Sequence, residues 1–223
     1  MYAVLGHVGC LLRGTGPFDP AARVRRPWWL LPVLIVAFGP IYGAIMGSFG
    51  LDSAGRLLQV TFSAVKVPLL LMATTALCLP AFFVLNTVCG LRQEFGRAFQ
   101  AILAGQAGLS VVLASLCPLT RFFYFSSADY NHALVFNAAA FALAAVGGQM
   151  VMLRYYRLLI CRHPAHRIML YAWLALYAFV GIQMGWTLRP FIGAPGMPVT
   201  FFREGPFTNA YVVVARLIAR VFL

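Results

Sequence analysis

Long apolar stretches separated by short polar connections are the dominant pattern along the chain. Each stretch holds about the 20 residues that a helix needs to cross a bilayer. The pattern therefore predicts an all-α, polytopic transmembrane helix bundle with five spans, at residues 28–49, 67–90, 98–119, 133–153 and 168–188. The last segment, residues 207–223, is also apolar but includes Arg216 and Arg220, so it is either a short sixth span or an interfacial helix.

The N-terminal lead, residues 1–27, differs from the rest of the chain, which forms the bundle and includes an ordered 189–206 loop. Its apolar residues 1–12 predict a short interfacial helix, whereas residues 14–27 hold three Pro and two Gly and are too polar to span. Residues 57–66 are interpreted as an amphipathic lead-in that ends at Lys66. Pro68 and Pro80 predict the start and a kink of the second span.

Composition excludes the common soluble classes. The chain is 62% hydrophobic and only 10% charged, whereas a soluble domain is about 45–50% apolar and about 25% charged. Its net charge of +12 indicates arginine-flanked membrane helices, not nucleic-acid binding. With six spans, ten arginines fall on the side of the N-terminus and five basic residues on the other. The positive-inside rule then places the N-terminus in the cytoplasm, and we expect the inner (plasma) membrane of a bacterium.

Polar chemistry is sparse in the predicted spans. The five acids lie outside the spans, no two in one loop, so we expect no buried charge and no paired-carboxylate site: Asp19, Asp52, Glu94, Asp129 and Glu204. The five scattered Cys lack metal-type spacing. These features predict a protein that is not an enzyme and has no cofactor or metal.

The histidines have two interpretations. His163 and His166, between Arg162 and Arg167, are interpreted as part of a solvated loop, because a basic setting is poor for a cation. His132, at the start of the fourth span, is interpreted as an interfacial polar residue, with a haem or pigment ligand left open. Neutral polar residues inside the spans favour helix packing over a pore, because no span carries a continuous polar stripe.

Glycines at four-residue spacing give the most specific local pattern. Gly39, Gly43 and Gly47 repeat in the first span, and Gly181 and Gly185 repeat in the fifth. Such glycines line up on one helix face and let a second helix approach closely. The pattern predicts close helix packing, within the chain in preference to between subunits.

The 189–206 segment contains four Pro and three Gly and predicts an ordered or re-entrant loop. Arg189 leaves the fifth span at the membrane boundary, and Glu204 is the acid nearest to it in the same loop. We expect an Arg189–Glu204 pair to tie the loop over the bundle. A rigid lid and a recognition or gating loop are both consistent with this arrangement.

The layout resembles the bacterial branch of the Ypt-interacting-protein (Yip) family over residues 10–160. The matching segments are GPFDPAARVRRPWWLLP (16–32), FGPIYGAIMG (38–47) and CGLRQEFGRAFQAILA (89–104). The resemblance implies about five membrane helices, no enzymatic site, and a role as a membrane organiser that binds other membrane proteins. The 185–207 loop has no counterpart in that family.

Two functions from different classes therefore follow. The first is a non-enzymatic membrane scaffold or accessory subunit, whose partners are the lipid bilayer and other membrane protein subunits or a second copy, with no nucleic acid. The alternative is a small channel or transporter with broken helices and a re-entrant loop, which Pro40, Pro68 and Pro80 favour. A membrane-embedded enzyme is the least favoured of the classes.

Overall fold

A computed structural model describes residues 2–13, 28–50, 57–193, 197–203 and 212. These residues form helices and connections and contain no strand. The α-helices are α1 (Tyr2–Arg13), α2 (Leu30–Gly47), α3 (Leu57–Val88), α4 (Phe95–Ser115), α5 (Cys117–Ser126), α6 (Tyr130–Arg162) and α7 (Ala165–Thr187), with a 3₁₀ turn at Arg92–Glu94.

The predicted all-α transmembrane architecture is confirmed. Within the described residues, α2, α3, α4, α6 and α7 are long and apolar enough to cross a membrane. The third predicted span is divided, because α4 ends at Ser115 and α5 begins at Cys117, with Pro118 in its first turn. The candidate sixth span, residues 207–223, lies almost wholly outside the described residues.

Helix α3 corrects the prediction for the second span. It is one continuous helix of 32 residues that contains Lys66, Pro68 and Pro80, so residues 57–66 are its first turns and not a separate lead-in. Proline is tolerated inside membrane helices when neighbouring helices compensate for the lost hydrogen bond. Here the Pro68 ring packs against Gly39 of α2, where a Cβ would lie 3.2 Å from it.

The five spans pack in the spatial order α6–α4–α2–α3–α7. Helix α4 is the most buried of them, because α2 and α6 cover it on either side. Helices α6 and α7 follow each other in the chain but contact each other little. The arrangement is therefore an arc of helices whose two ends, α6 and α7, come near each other without closing.

The bundle has two chemically distinct ends. The arginine-rich end holds α1, the 89–97 connection and the 154–167 turn. There α1 packs against α4, Leu11 is fully buried, and Arg154 donates a hydrogen bond to the Leu12 carbonyl oxygen. The loop end holds residues 48–50, 57–66, 117–130, 188–193 and 197–203. Helix α5 lies at this end with Phe122 and Phe125 exposed, as expected of an aromatic interfacial belt.

Candidate functional site at the loop end of the bundle

Three polar side chains on one face of α3 hold the chain after α7. Gln59, Ser63 and Lys66 lie at i, i+4 and i+7, which places them on one side of a helix. All three are buried. Gln59 donates to the Phe191 carbonyl oxygen at 3.2 Å, Ser63 donates to the same oxygen, and Gln59 also donates to Ser63 at 3.1 Å. The loop backbone is thus fixed to the first turns of α3.

Lys66 completes this attachment and corrects the expectation of no buried charge. Its side chain is 0% exposed, and its ammonium group donates to the Pro190 carbonyl oxygen at 2.7 Å. The same ammonium lies 4.8 Å from the centre of the Phe201 ring, a cation–π contact. A buried ammonium needs such partners, because an unpaired one is strongly disfavoured in an apolar setting.

Residues 197–203 return across the same surface, and we call them the loop platform. Phe201 packs edge-to-face on Phe62 of α3 with 5.3 Å between ring centres. The Arg203 amide donates to the Arg189 carbonyl oxygen at 3.2 Å. Met197 and Phe202 are 60% and 46% exposed. The platform is therefore anchored on its inner side and presents apolar side chains on its outer side.

Arg189 contacts an aromatic ring at the end of α7. Its guanidinium stacks on the Trp186 ring, 3.4 Å from the ring centre. Desolvation, together with the charge of nearby Arg203, lowers the pKa of Arg189 below its usual range. Glu204 lies outside the described residues, so the predicted Arg189–Glu204 pair remains a prediction.

Two cavities adjoin the platform. One, of about 430 Å³, lies beneath residues 197–203 and is bounded by Phe49, Gln59 and Pro190. The other, of about 570 Å³, lies between α6 and α7. Its lining includes Leu134 and Phe141 of α6 and Gly185 of α7, with Arg189 and Arg203 above them.

A polar network ties α2, α5 and α6 together beside the second cavity. Tyr42 donates to Asn137 Oδ1 at 2.9 Å, and Asn137 Nδ2 donates to the Tyr124 hydroxyl at 2.7 Å. Farther along the bundle, Tyr177 of α7 donates to Gln106 of α4 at 2.9 Å. These polar residues bond across helices, which is the packing role that the sequence favoured for them.

Helix α6 begins at the loop end with a side-chain cap. Asp129 Oδ1 accepts hydrogen bonds from the backbone N–H groups of Asn131 at 2.7 Å and His132 at 3.1 Å. These bonds lower the pKa of the Asp129 carboxyl. The His132 ring lies near the same carboxylate, with Nδ1 4.0 Å from Oδ2, and is largely exposed at 71%. His132 is therefore an exposed residue in the first turn of α6.

At the arginine-rich end, His166 corrects the expectation of a solvated histidine. Helix α7 begins at Ala165, so His166 lies in its first turn and faces into the bundle, where it is fully buried. Its Nε2 is 2.6 Å from Glu94 Oε2, and Arg162 contacts the other oxygen of Glu94 at 3.4 Å. His163 stays exposed.

The glycines of α2 lie where the sequence predicted a close helix contact. A Cβ on Gly43 would lie 2.2 Å from the Ser63 carbonyl oxygen of α3, and one on Gly47 would lie 2.8 Å from the Gln59 carbonyl oxygen. Helix α7 differs, because a Cβ on Gly181 would make an ordinary contact at 3.7 Å and one on Gly185 would meet no described atom within 4 Å. The predicted packing groove on α7 is thus not formed within the described chain.

The sequence interpretation missed two features. The first is the buried triad on α3, whose i, i+4, i+7 spacing was a usable signal. The second is the contact of α4 with α6, where a Cβ on Gly148 would lie 2.7 Å from the Gly105 carbonyl oxygen. Ala101 precedes Gly105 by four residues and Ala144 precedes Gly148 by four, so small-residue spacing could have indicated it.

The described residues contain no group of three or more His, Cys, Asp or Glu side chains placed to hold a metal ion. Comparison of this chain with protein-family models, with curated proteins and with solved structures finds no match. The fold and the loop end therefore define a class, multi-pass helical membrane proteins, and inferences about function depend on the geometry of this chain.

Proposed function

We propose that this protein is a non-enzymatic membrane scaffold or accessory subunit that docks another membrane protein on its loop platform. In this proposal the platform lies on the outer side of a bacterial inner membrane and the arginine-rich end faces the cytoplasm. The excess of arginine at that end supports this orientation. The resemblance to the Yip family points to the same kind of role.

One observation carries the proposal: three buried polar side chains of α3 bind the backbone of a loop. Gln59, Ser63 and Lys66 direct their donors to the backbone carbonyls of Pro190 and Phe191. A charged group buried for transport or catalysis would face a substrate path or a second titratable group. Here it fixes a backbone segment next to the platform, which is how a recognition surface is made rigid in advance of binding.

The outer side of the platform has the composition of a docking surface. Met and aromatic residues are enriched in protein–protein interfaces, and Arg is enriched with them. Met197, Phe202 and Arg203 are all exposed on the platform. The cavity of about 430 Å³ beneath them can accept a side chain of a partner.

The channel or transporter alternative loses part of its basis. Pro40, Pro68 and Pro80 lie inside continuous helices, so α2 and α3 are not broken in the way that transporter binding sites require. The 188–193 segment packs along the first turns of α3, which is consistent with the re-entrant loop of this alternative. The fixed loop favours docking over gating, since gating needs the loop to move.

Co-purification of membrane partners tests the proposal. The chain is purified in mild detergent as wild type, as Met197→Ser/Phe202→Ser, and as Phe122→Ser, which removes an exposed aromatic from α5 at the same end. We expect a stoichiometric membrane protein to accompany wild type and Phe122→Ser and to be reduced at least tenfold with the double variant. Equal recovery with all three proteins would contradict docking at the platform.

A further inference from the structure

Among the described residues, α6 and α7 enclose a cleft that the docking role does not explain. The two helices are joined at residues 163–164, and from there each packs on a different neighbour, α6 on α4 and α7 on α3. They diverge toward the loop end and leave a cavity of about 570 Å³. Pockets for ligands commonly have 300–1,000 Å³, so this one is large enough to bind a ligand or part of one.

The walls of the cleft are apolar. Leu70 of α3 lines it, with Leu134 and Phe141 of α6. Leu134 is half exposed, so the cleft opens at the side of the bundle, between two spans. Gly185 lines the α7 side, and its missing side chain leaves space that the described chain does not fill. An acyl chain matches such walls.

The upper end of the cleft is cationic. Arg189 and Arg203 both line it, just beyond the end of α7 at Thr187. The flat face of the Arg189 guanidinium is fixed on Trp186, and its Nε is buried without a hydrogen bond to any described residue. Desolvation and the nearby charge of Arg203 lower the pKa of Arg189, so an anion close to both guanidinium groups is favourable.

We propose that this cleft binds one anionic phospholipid from the bilayer, with its phosphate at Arg189 and Arg203 and an acyl chain along α6. Guanidinium groups bind phosphate oxygens through paired N–H donors, and Trp186 orients one of them for this. Basic pockets between membrane helices bind lipid head groups in the same way. A free anion would use only the arginines and would leave the apolar walls uncovered.

Lipid titration followed by native mass spectrometry tests the proposal. The purified protein is titrated with phosphatidylglycerol and, separately, with phosphatidylcholine of the same acyl chains. We expect one phosphatidylglycerol to bind roughly tenfold more tightly than phosphatidylcholine, as charge-assisted hydrogen bonds would give. Equal affinity for the two lipids would overturn the proposal.

Two sets of variants locate the bound lipid. Arg189→Gln/Arg203→Gln should remove the preference for phosphatidylglycerol, while Arg121→Gln, at the same end but bonded to Ser48, should keep it. Gly185→Leu should weaken the binding of both lipids, because the new side chain fills the apolar part of the cleft. Gly96→Leu, whose side chain also enters open space, should leave the binding of both lipids unchanged. Unfolding temperatures show that each variant is folded. Unchanged binding in the double Arg variant or in Gly185→Leu would refute the site.

Two further experiments distinguish a bound lipid from a free phosphate and from the carboxylate of Glu204. Glycerol 3-phosphate, which has the phosphate without acyl chains, should fail to displace phosphatidylglycerol at equal concentration. Equal competition would overturn the lipid assignment. Glu204→Gln tests whether that carboxylate already neutralises the arginines. A preference for phosphatidylglycerol that appeared only in Glu204→Gln would refute the proposal for the natural chain.

Discussion

The Lys66 ammonium group lies 2.7 Å from the Pro190 carbonyl oxygen, across 124 residues of sequence. This contact joins the first turns of α3 to the segment that follows α7, the last described helix. Gln59 and Ser63 attach the neighbouring carbonyl of Phe191 from the same face. Side chains of a span therefore hold the loop end, and the buried cation is one of them.

Replacement of Lys66 by Met should loosen the loop platform. Met keeps the length of the side chain but removes a charged hydrogen bond, which typically contributes about 1.5–3 kcal/mol. We expect hydrogen exchange at the Arg203 amide, bonded to the Arg189 carbonyl, to accelerate at least about tenfold, since about 1.4 kcal/mol is a factor of ten. Exchange in the middle of α4 is the internal control. An unchanged Arg203 amide would show that the loop is held without Lys66.

Gly43→Ala should destabilise the bundle although it adds one methyl group. That methyl would lie 2.2 Å from the Ser63 carbonyl oxygen, so α2 and α3 must separate, and overpacking costs about 1–3 kcal/mol. Gly181→Ala is the matched control, since its new methyl makes an ordinary contact at 3.7 Å. Thermal unfolding in detergent should fall for the first variant and not for the second. A Gly43→Ala protein as stable as wild type would mean that the two helices are not in close contact.

Tyr42 and Asn137 should be energetically coupled. Their hydrogen bond joins α2 to α6, and such bonds between membrane helices average about 0.6 kcal/mol, with a maximum near 1.7 kcal/mol. A double-mutant cycle of Tyr42→Phe and Asn137→Ala in a reversible unfolding assay measures the coupling. We expect a coupling free energy within that range. Additive effects of the two changes would indicate that the bond contributes nothing.

Cys161 provides a probe of orientation without an added residue. It is exposed near the end of α6, at the arginine-rich end. In a protein that keeps only this cysteine, a membrane-impermeant maleimide should label inverted vesicles and leave intact spheroplasts unlabelled. Replacement of Cys161 by Ser gives the background. Labelling of the intact spheroplasts would place the arginine-rich end outside and reverse the proposed orientation.

Local sequence was sufficient to predict five long apolar helices and the glycine face of α2. Apolar length fixes where helices cross, and the spacing of Gly39, Gly43 and Gly47 fixes one face of one helix. Neither pattern identifies the neighbour that fills that face. Gly185 has the same spacing from Gly181 and yet borders a cleft.

Partnerships across long stretches of sequence could not be predicted. In the sequence, Lys66 has the position of a cation that flanks a span, and His166 has that of a solvated residue. In the fold, Lys66 donates to the Pro190 carbonyl oxygen and His166 lies 2.6 Å from Glu94. Both contacts depend on the order α6–α4–α2–α3–α7, which brings distant parts of the chain together. Helix packing, and not any local motif, decides which polar residue finds a partner.

Site-specific photo-crosslinking in native membranes tests the central claim, docking on the loop platform, most directly. A photoreactive phenylalanine analogue is placed at Phe202 on the platform and, for comparison, at Phe122 on α5, both exposed at the loop end. The account predicts one discrete protein adduct from position 202, its loss when Lys66→Met is added, and no such adduct from position 122. Equal adducts from both positions, or none from position 202, would contradict it.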